Sequence, residues 1–202
     1  MPARARHRDP IINTAMRLFR RQGYASTGLN EIVAESGAPK GSLYHYFPDG
    51  KASIAVAAVE RAGERAAQTL TELSERTPDT GALIVEHAKL LAGWMAKSNF
   101  RDGSPIATVL LELCPQNREV STAGKKAYAA QIGVLTKKLQ ADGFSISRAD
   151  RLAVLALASF QGALIQARIE RSRAPLMQMA EELSELLKFE RPRHLDISPD
   201  PN

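Results

Sequence analysis

The chain has 202 residues, 44% of them hydrophobic and 24% charged, with a net charge of +5. That is a globular profile, long enough for one domain with a good core or two small ones, and no apolar run approaches the roughly 20 residues that a membrane span needs. The charge is uneven: residues 1–51 hold eight Lys or Arg against four acids, while the other 151 residues hold 19 against 18, an asymmetry that suits a polyanionic partner as well as a merely solvated basic face.

The opening stretch, MPARARHRDP, is basic but has no apolar segment behind it, so no secretory leader is expected and the chain is expected in the cytoplasm. Asp9 and Pro10 read as an N-cap and first turn, and Ile11, Ile12, Ala15, Leu18 and Phe19 form one helical stripe. Arg20 and Arg21 followed by Gly23 mark its end. Thr27 reads as the cap of a short helix with Leu29, Ile32 and Val33 on one side, closed by Gly37. Pro39 then opens a third short helix at its first helical position, N1, and the inner face of that helix carries Leu43 and Phe47.

After the turn FPDGK, a long helix is predicted from about Lys51 to Arg76. Further helices follow: one around Leu83–Met95, one from Ser104 and Pro105 to Leu113, and one carrying Val120 to Leu139. Ser147 and Asp150 introduce the most apolar segment, Leu152–Ile169, and a last helix covers Leu176–Leu187. The tail ERPRHLDISPDPN is rich in proline and polar residues and reads as disordered. No strand alternation and no internal repeat is present. The fold class expected is all-α: about nine helices, with a three-helix head over residues 1–51, a larger helical body over 52–188 and a tail over 189–202.

Residues 27–47 carry the strongest functional signal. Two short helices joined by SGAP, with Leu29, Ile32, Val33, Leu43 and Phe47 facing inward, have the length and pattern of a helix-turn-helix, whose second helix enters the major groove of DNA. Lys40 and Ser42 fall in that helix's first turn, where free backbone N–H groups suit phosphate, and Gly41 lets a surface approach the backbone. With about 100° between successive residues, Tyr44 and His45 face outward, where a phenol and an imidazole bond phosphate or base edges. Tyr46 reads as either a phosphate ligand or a partly buried ring. Lys51 offers a further phosphate contact, and Thr27 a hydroxyl beside its capping role.

The stretch GYASTGLNEIVAESGAPKGSLYHYFPDGKASI closely resembles the N-terminal domain of the TetR/AcrR family of bacterial transcriptional regulators. The match lies at Gly23, Tyr24, Thr27, Ile32, Gly37, Lys40, Gly41, Ser42, Leu43, Tyr44, Tyr46, Phe47 and Lys51. Pro39, the extra turn residue in PDGK, and DGSPIATVLLEL resemble the LmrA- and YxaF-like branch. The resemblance implies Lys40, Ser42, Tyr44, His45, Tyr46 and Lys51 at double-stranded operator DNA, with Thr27 beside them. It also implies a small-molecule effector pocket in the body, for which Trp94, Met95, Phe100, Leu110, Phe160 and Gln161 are candidates against a plain core role. The last two long helices are then the homodimer face, with Leu152, Leu155, Leu164, Met179, Leu183 and Leu186 as its apolar residues.

The function expected is a ligand-responsive regulator, a repressor released from a pseudo-palindromic operator when a small apolar effector binds the C-terminal body and tilts the fourth helix. The alternatives are a helical ligand-binding protein and a sequence-independent DNA binder. No enzyme, cofactor, metal or membrane partner is expected: the histidines at 7, 45, 87 and 194 are scattered, no HExxH or P-loop occurs, and Cys114 is the single cysteine. A lone cysteine forms no intrachain disulfide and suits a reducing compartment.

Overall fold

A computed structural model describes residues 7–191. They form α1 (Arg8–Gln22), α2 (Leu29–Ser36), α3 (Lys40–Tyr46), α4 (Lys51–Arg76), α5 (Thr80–Lys97), α6 (Pro105–Leu113), α7 (Arg118–Ala141), α8 (Ile146–Glu170) and α9 (Ala174–Glu190). Among the described residues there is no strand, so the all-α class read from the 3.6-residue period is the one observed. The tail expected over 189–202 is corrected at its start, where Phe189 and Glu190 belong to α9; residues 192–202, like Arg4 and Arg6, lie outside the described residues.

Helix starts follow local side-chain chemistry. Asp79, Ser104, Asn117 and Ser145 each accept from the N–H three residues on, satisfying a donor that the first helical turn leaves free. Several expected caps are displaced. α1 begins before Asp9, whose carboxylate pairs with Arg61 of α4 at 2.6 Å. α3 has Pro39 at its N-cap, one position earlier than expected. α8 starts at Ser145 because that hydroxyl reaches Arg148 N, while the Ser147 hydroxyl accepts from Arg151.

The helices are held by two apolar clusters. In the first, Ile11, Ile12, Ala15 and Phe19 of α1 meet Ile32, Leu43, Phe47, Ile54 and Ala58, and the cluster runs on through Ile106 and Val109 of α6 to Val120, Ala123 and Ala127 of α7. The helical head therefore stands on α4, α6 and α7 with continuous packing. Gly63 and Ala127 mark the α4–α7 crossing: a methyl at Gly63 would overlap the Ala127 side chain and backbone. In the second cluster, α5, α7, α8 and α9 bury Leu83, Ile84, Leu135, Leu152, Ala156, Leu176 and Leu183, with Leu70 from α4.

α8 corrects one sequence expectation. Its mean hydropathy reaches 1.5 over an 18-residue window, enough by length and composition to cross a membrane, yet 44% of that window is buried inside the chain. It serves as a core helix between α7 and α9. Its outer side leaves Val154, Leu155, Ile165 and Ile169 exposed. Of the six residues expected at a subunit face, Leu155 is exposed, whereas Leu152 and Leu183 are buried within this chain's own core, and Leu164, Met179 and Leu186 pack partly against it. For Leu152 and Leu183 the apolar period was read correctly, but the inner side of the helix was taken for the outer one.

Candidate nucleic-acid interface and internal cavity

α3 sorts its residues by face as the helical angle requires. Leu43 and Phe47 are buried, while Lys40, Gly41, Tyr44 and His45 are exposed and Ser42 lies between. Tyr46 is half-buried against the first cluster, and its ring meets the His45 imidazole edge-on at 5.0 Å. Six of the eight expected DNA residues thus share one short helix. A Cβ added at Gly41 meets nothing within 4 Å, so nothing inside the chain demands glycine there.

The other two expected DNA residues have partners inside the protein, and the capping role expected of Thr27 is corrected. Thr27 is fully buried, and its hydroxyl donates to Gly23 O at 2.7 Å; the N-cap of α2 is Gly28, to whose N–H Glu31 reaches back. Lys51 donates to Tyr24 O at 3.0 Å, Ala25 O at 3.4 Å and Thr27 O at 2.9 Å, and lies 4.3 Å from the Tyr24 ring centroid. An ammonium has three donors, so the expected phosphate contact would have to displace one of these.

The same loop is held from the opposite side by Glu112 of α6, which accepts from Tyr24 N at 2.8 Å and Ala25 N at 2.6 Å. Gly23 makes this approach possible: its φ is +90°, and a Cβ there would lie 2.6 Å from Glu112 Oε1. Burial, assisted by the Glu112 charge, raises the Tyr24 phenol above its usual range. The sequence reading missed Glu112, because a carboxylate 87 and 88 residues from its partners leaves no local pattern.

Behind α1 lies a cavity of about 840 Å³, walled by α1, α4, α5, α7, α8 and the segment 98–106. Of the six expected pocket residues, Trp94, Met95, Phe160 and Gln161 line it. Phe100 and Leu110 are absent from that lining and are corrected: Phe100 packs on the second cluster in a tight turn, its N–H bonded to Met95 O at 2.7 Å, and Leu110 packs over Gly124. Leu164, expected at a subunit face, also lines the cavity. His87, Leu91 and Trp94 follow a helical spacing on α5, as Leu157, Phe160 and Leu164 do on α8. That spacing was legible, but nothing in it separates a cavity wall from a packed core.

His87 is buried against Phe160, with ring centroids 4.6 Å apart, and its Nδ1 has no partner among the described residues. Burial lowers its pKa from 6.5 to about 4, so the imidazole is neutral near pH 7. Gln161 Oε1 likewise lacks a partner among the described residues. Among the described residues no cluster of His, Cys, Asp and Glu could hold a metal ion.

Comparison with known proteins places this geometry. Residues 11–58 match the family described as bacterial regulatory proteins of the tetR family, and residues 81–182 match the C-terminal domain of LmrA/YxaF-like transcriptional regulators. The chain is 32% identical to the HTH-type transcriptional regulator YxaF of Bacillus subtilis, over 93% of this chain and 98% of that protein. It is 33% identical to the HTH-type transcriptional regulator LmrA of the same organism, over 90% and 96%. The crystal structure of a regulatory protein TetR from Rhodobacter sphaeroides superposes with a TM-score of 0.78 at 23% identity, covering 89% of this chain and 97% of that one.

Two measurements test the roles assigned here. Replacing Lys51 by Met removes three charge-assisted bonds from the 24–27 loop and should lower unfolding stability by about 2 kcal/mol in urea; unchanged stability with weaker DNA binding would restore the phosphate role. For His87, the unfolded chain takes up a proton near pH 6.5 that the folded chain refuses until about pH 4. Its contribution is therefore full above pH 6.5 and is lost as the pH falls toward 4. Between pH 7 and 4.5, His87→Gln should lose about 2–3 kcal/mol less stability than the unchanged protein; parallel losses would contradict the assignment.

Proposed function

The chain belongs to the TetR family of DNA-binding transcriptional regulators, in its LmrA/YxaF-like branch, and from that premise we propose that it is a ligand-responsive repressor. In this reading a cytoplasmic homodimer holds a pseudo-palindromic operator through α3 and releases it when a small effector with an apolar body fills the cavity behind α1.

The observation that carries the reading is that cavity and head share their walls. Arg20 and Arg21, at the end of α1, line the cavity together with Asp102, Gly103 and Ser104. Gly103 N donates to Arg20 O at 2.8 Å, Arg20 Nε lies 2.9 Å from Asp102, and Arg168 of α8 reaches Arg21 O at 3.4 Å. Immediately beyond, Glu112 holds Tyr24 and Ala25, which lead into α2. A ligand that displaces the 98–106 segment or α1 moves α6 and, through Glu112, the helix-turn-helix. This route runs through α6 and α1, besides the fourth-helix tilt expected from the sequence. Because the two binding equilibria are linked, ligand weakens DNA binding by the factor that DNA weakens ligand binding, typically about 1–3 kcal/mol.

Lys40, Gly41, Ser42, Tyr44 and His45 form the proposed DNA face, with Tyr46 at its edge. The proposed dimer face is the outer side of α8, where Val154, Leu155, Ile165 and Ile169 are exposed. A two-fold axis there would set two copies of α3 in successive major grooves about 34–36 Å apart.

Gly41 offers a clean test. Alanine favours a helix over glycine by about 1 kcal/mol, and the added methyl meets no protein atom. Gly41→Ala should therefore raise the urea midpoint while weakening binding to the operator duplex, found by footprinting the protein's own upstream region, by at least about tenfold, or about 1.4 kcal/mol. Retained affinity would remove α3 from the DNA face.

A further inference from the structure

Resting on the reading of the cavity as the effector site, we propose that the ligand class is an anionic amphiphile, with its negative charge against Arg21 and Arg101 and its apolar body against Met95, Leu157 and Phe160. The cavity is strongly polarised. Six cationic side chains line it against two carboxylates, those of Glu72 and Asp102. Both carboxylates already have partners: Asp102 binds Arg20, and Glu72 is shared between Gln68 and Arg76.

Two further cations are occupied as well. Arg17 pairs with Glu35, and Arg65 donates to Asn13 at 2.8 Å. Arg21, Lys97 and Arg101 remain, and none of the three is in an ion pair among the described residues. Arg21 lies in the last turn of α1, and Arg101 belongs to the segment whose Gly103 N–H holds Arg20 O. A ligand anion would bridge the two elements through which the cavity reaches the head.

The α5 and α8 walls differ in character. Met95 and Phe160 are almost wholly buried, and Leu157 stands beside them. The neutral His87 and the amide of Gln161 add polarity there without charge. An apolar chain or ring fits this wall, whereas a second charge would lose its hydration without a counter-ion. A volume of about 840 Å³ is ample for a molecule of drug size. Arg21, Lys97 and Arg101 stand at the exposed rim, so a cationic ligand would meet like charge there and a neutral one would gain nothing from them.

The test uses decanoate, 1-decanol and decylammonium as isosteric probes on the full chain. Trp94 is the protein's single tryptophan and lines the cavity, so its emission reports occupancy directly. Decanoate should bind at least about tenfold tighter than decanol, a difference of about 1.4 kcal/mol, and decylammonium should bind more weakly than either. In the variant R21Q/R101Q the decanoate advantage should shrink to threefold or less while decanol affinity stays unchanged, which also shows that the variant is folded. Decanol or decylammonium binding as tightly as decanoate would overturn the ligand class and leave the effector-site reading standing. An emission that none of the three probes changes would overturn both.

Discussion

The loop between α1 and α2 is held by two opposite charges. Lys51 binds three of its carbonyl oxygens, and Glu112 binds two of its N–H groups. Backbone in a loop has no ladder to satisfy it, and here a cation takes the acceptors while an anion takes the donors. Charge-assisted bonds of this kind are about twice as strong as neutral ones, so five backbone groups become fixed points. Since the loop leads straight into the helix-turn-helix, the direction of α3 depends on where α4 and α6 place those two side chains.

This arrangement explains why the head is not mechanically separate from the body. Lys51 is the first residue of α4, and Glu112 lies near the end of α6. Both helices pack into one apolar cluster with α1 and α7. At the crossing of α4 and α7 the close approach of Gly63 and Ala127 leaves no slack. α6 spans the distance between the two sites: it begins beside the cavity, at Ser104 and Pro105, and ends at the loop it grips. Displacement at one end of so short a helix reaches the other, because packed elements move as bodies rather than deforming continuously.

Much of this was legible in the sequence, for definite reasons. Periodicity placed the nine helices of the described residues, and Gly23, Gly37 and Pro39 placed the breaks around the helix-turn-helix, because apolar spacing and backbone punctuation are local properties. The outward face of α3 followed from the angle between Leu43 and Phe47. What failed was long-range. The internal partners of Thr27 and Lys51 were not foreseen, because a hydroxyl and an ammonium look available until their partners are known. Gly23 was read as a helix stop, and its second role, making room for Glu112, depends on a residue almost ninety positions away. Leu152 and Leu183 were assigned outward because an apolar helix with two apolar sides gives no sign of which one its neighbours cover. The charge of the cavity escaped for the same reason: Arg20, Arg21 and Arg101 come together only once α1 and the 98–106 segment meet.

The central claim is that Glu112 carries the coupling between cavity and DNA. The direct measurement is the affinity for the footprinted operator duplex, with and without a saturating cavity ligand, in the unchanged protein and in Glu112→Gln. Glutamine keeps the shape but has one acceptor oxygen for two N–H groups. The expected result is a ligand-induced loss of affinity of about tenfold or more in the unchanged protein, corresponding to about 1.4 kcal/mol of coupling, reduced to threefold or less in the variant while ligand affinity without DNA is unaltered. A variant that responds to ligand as strongly as the unchanged protein would contradict the claim.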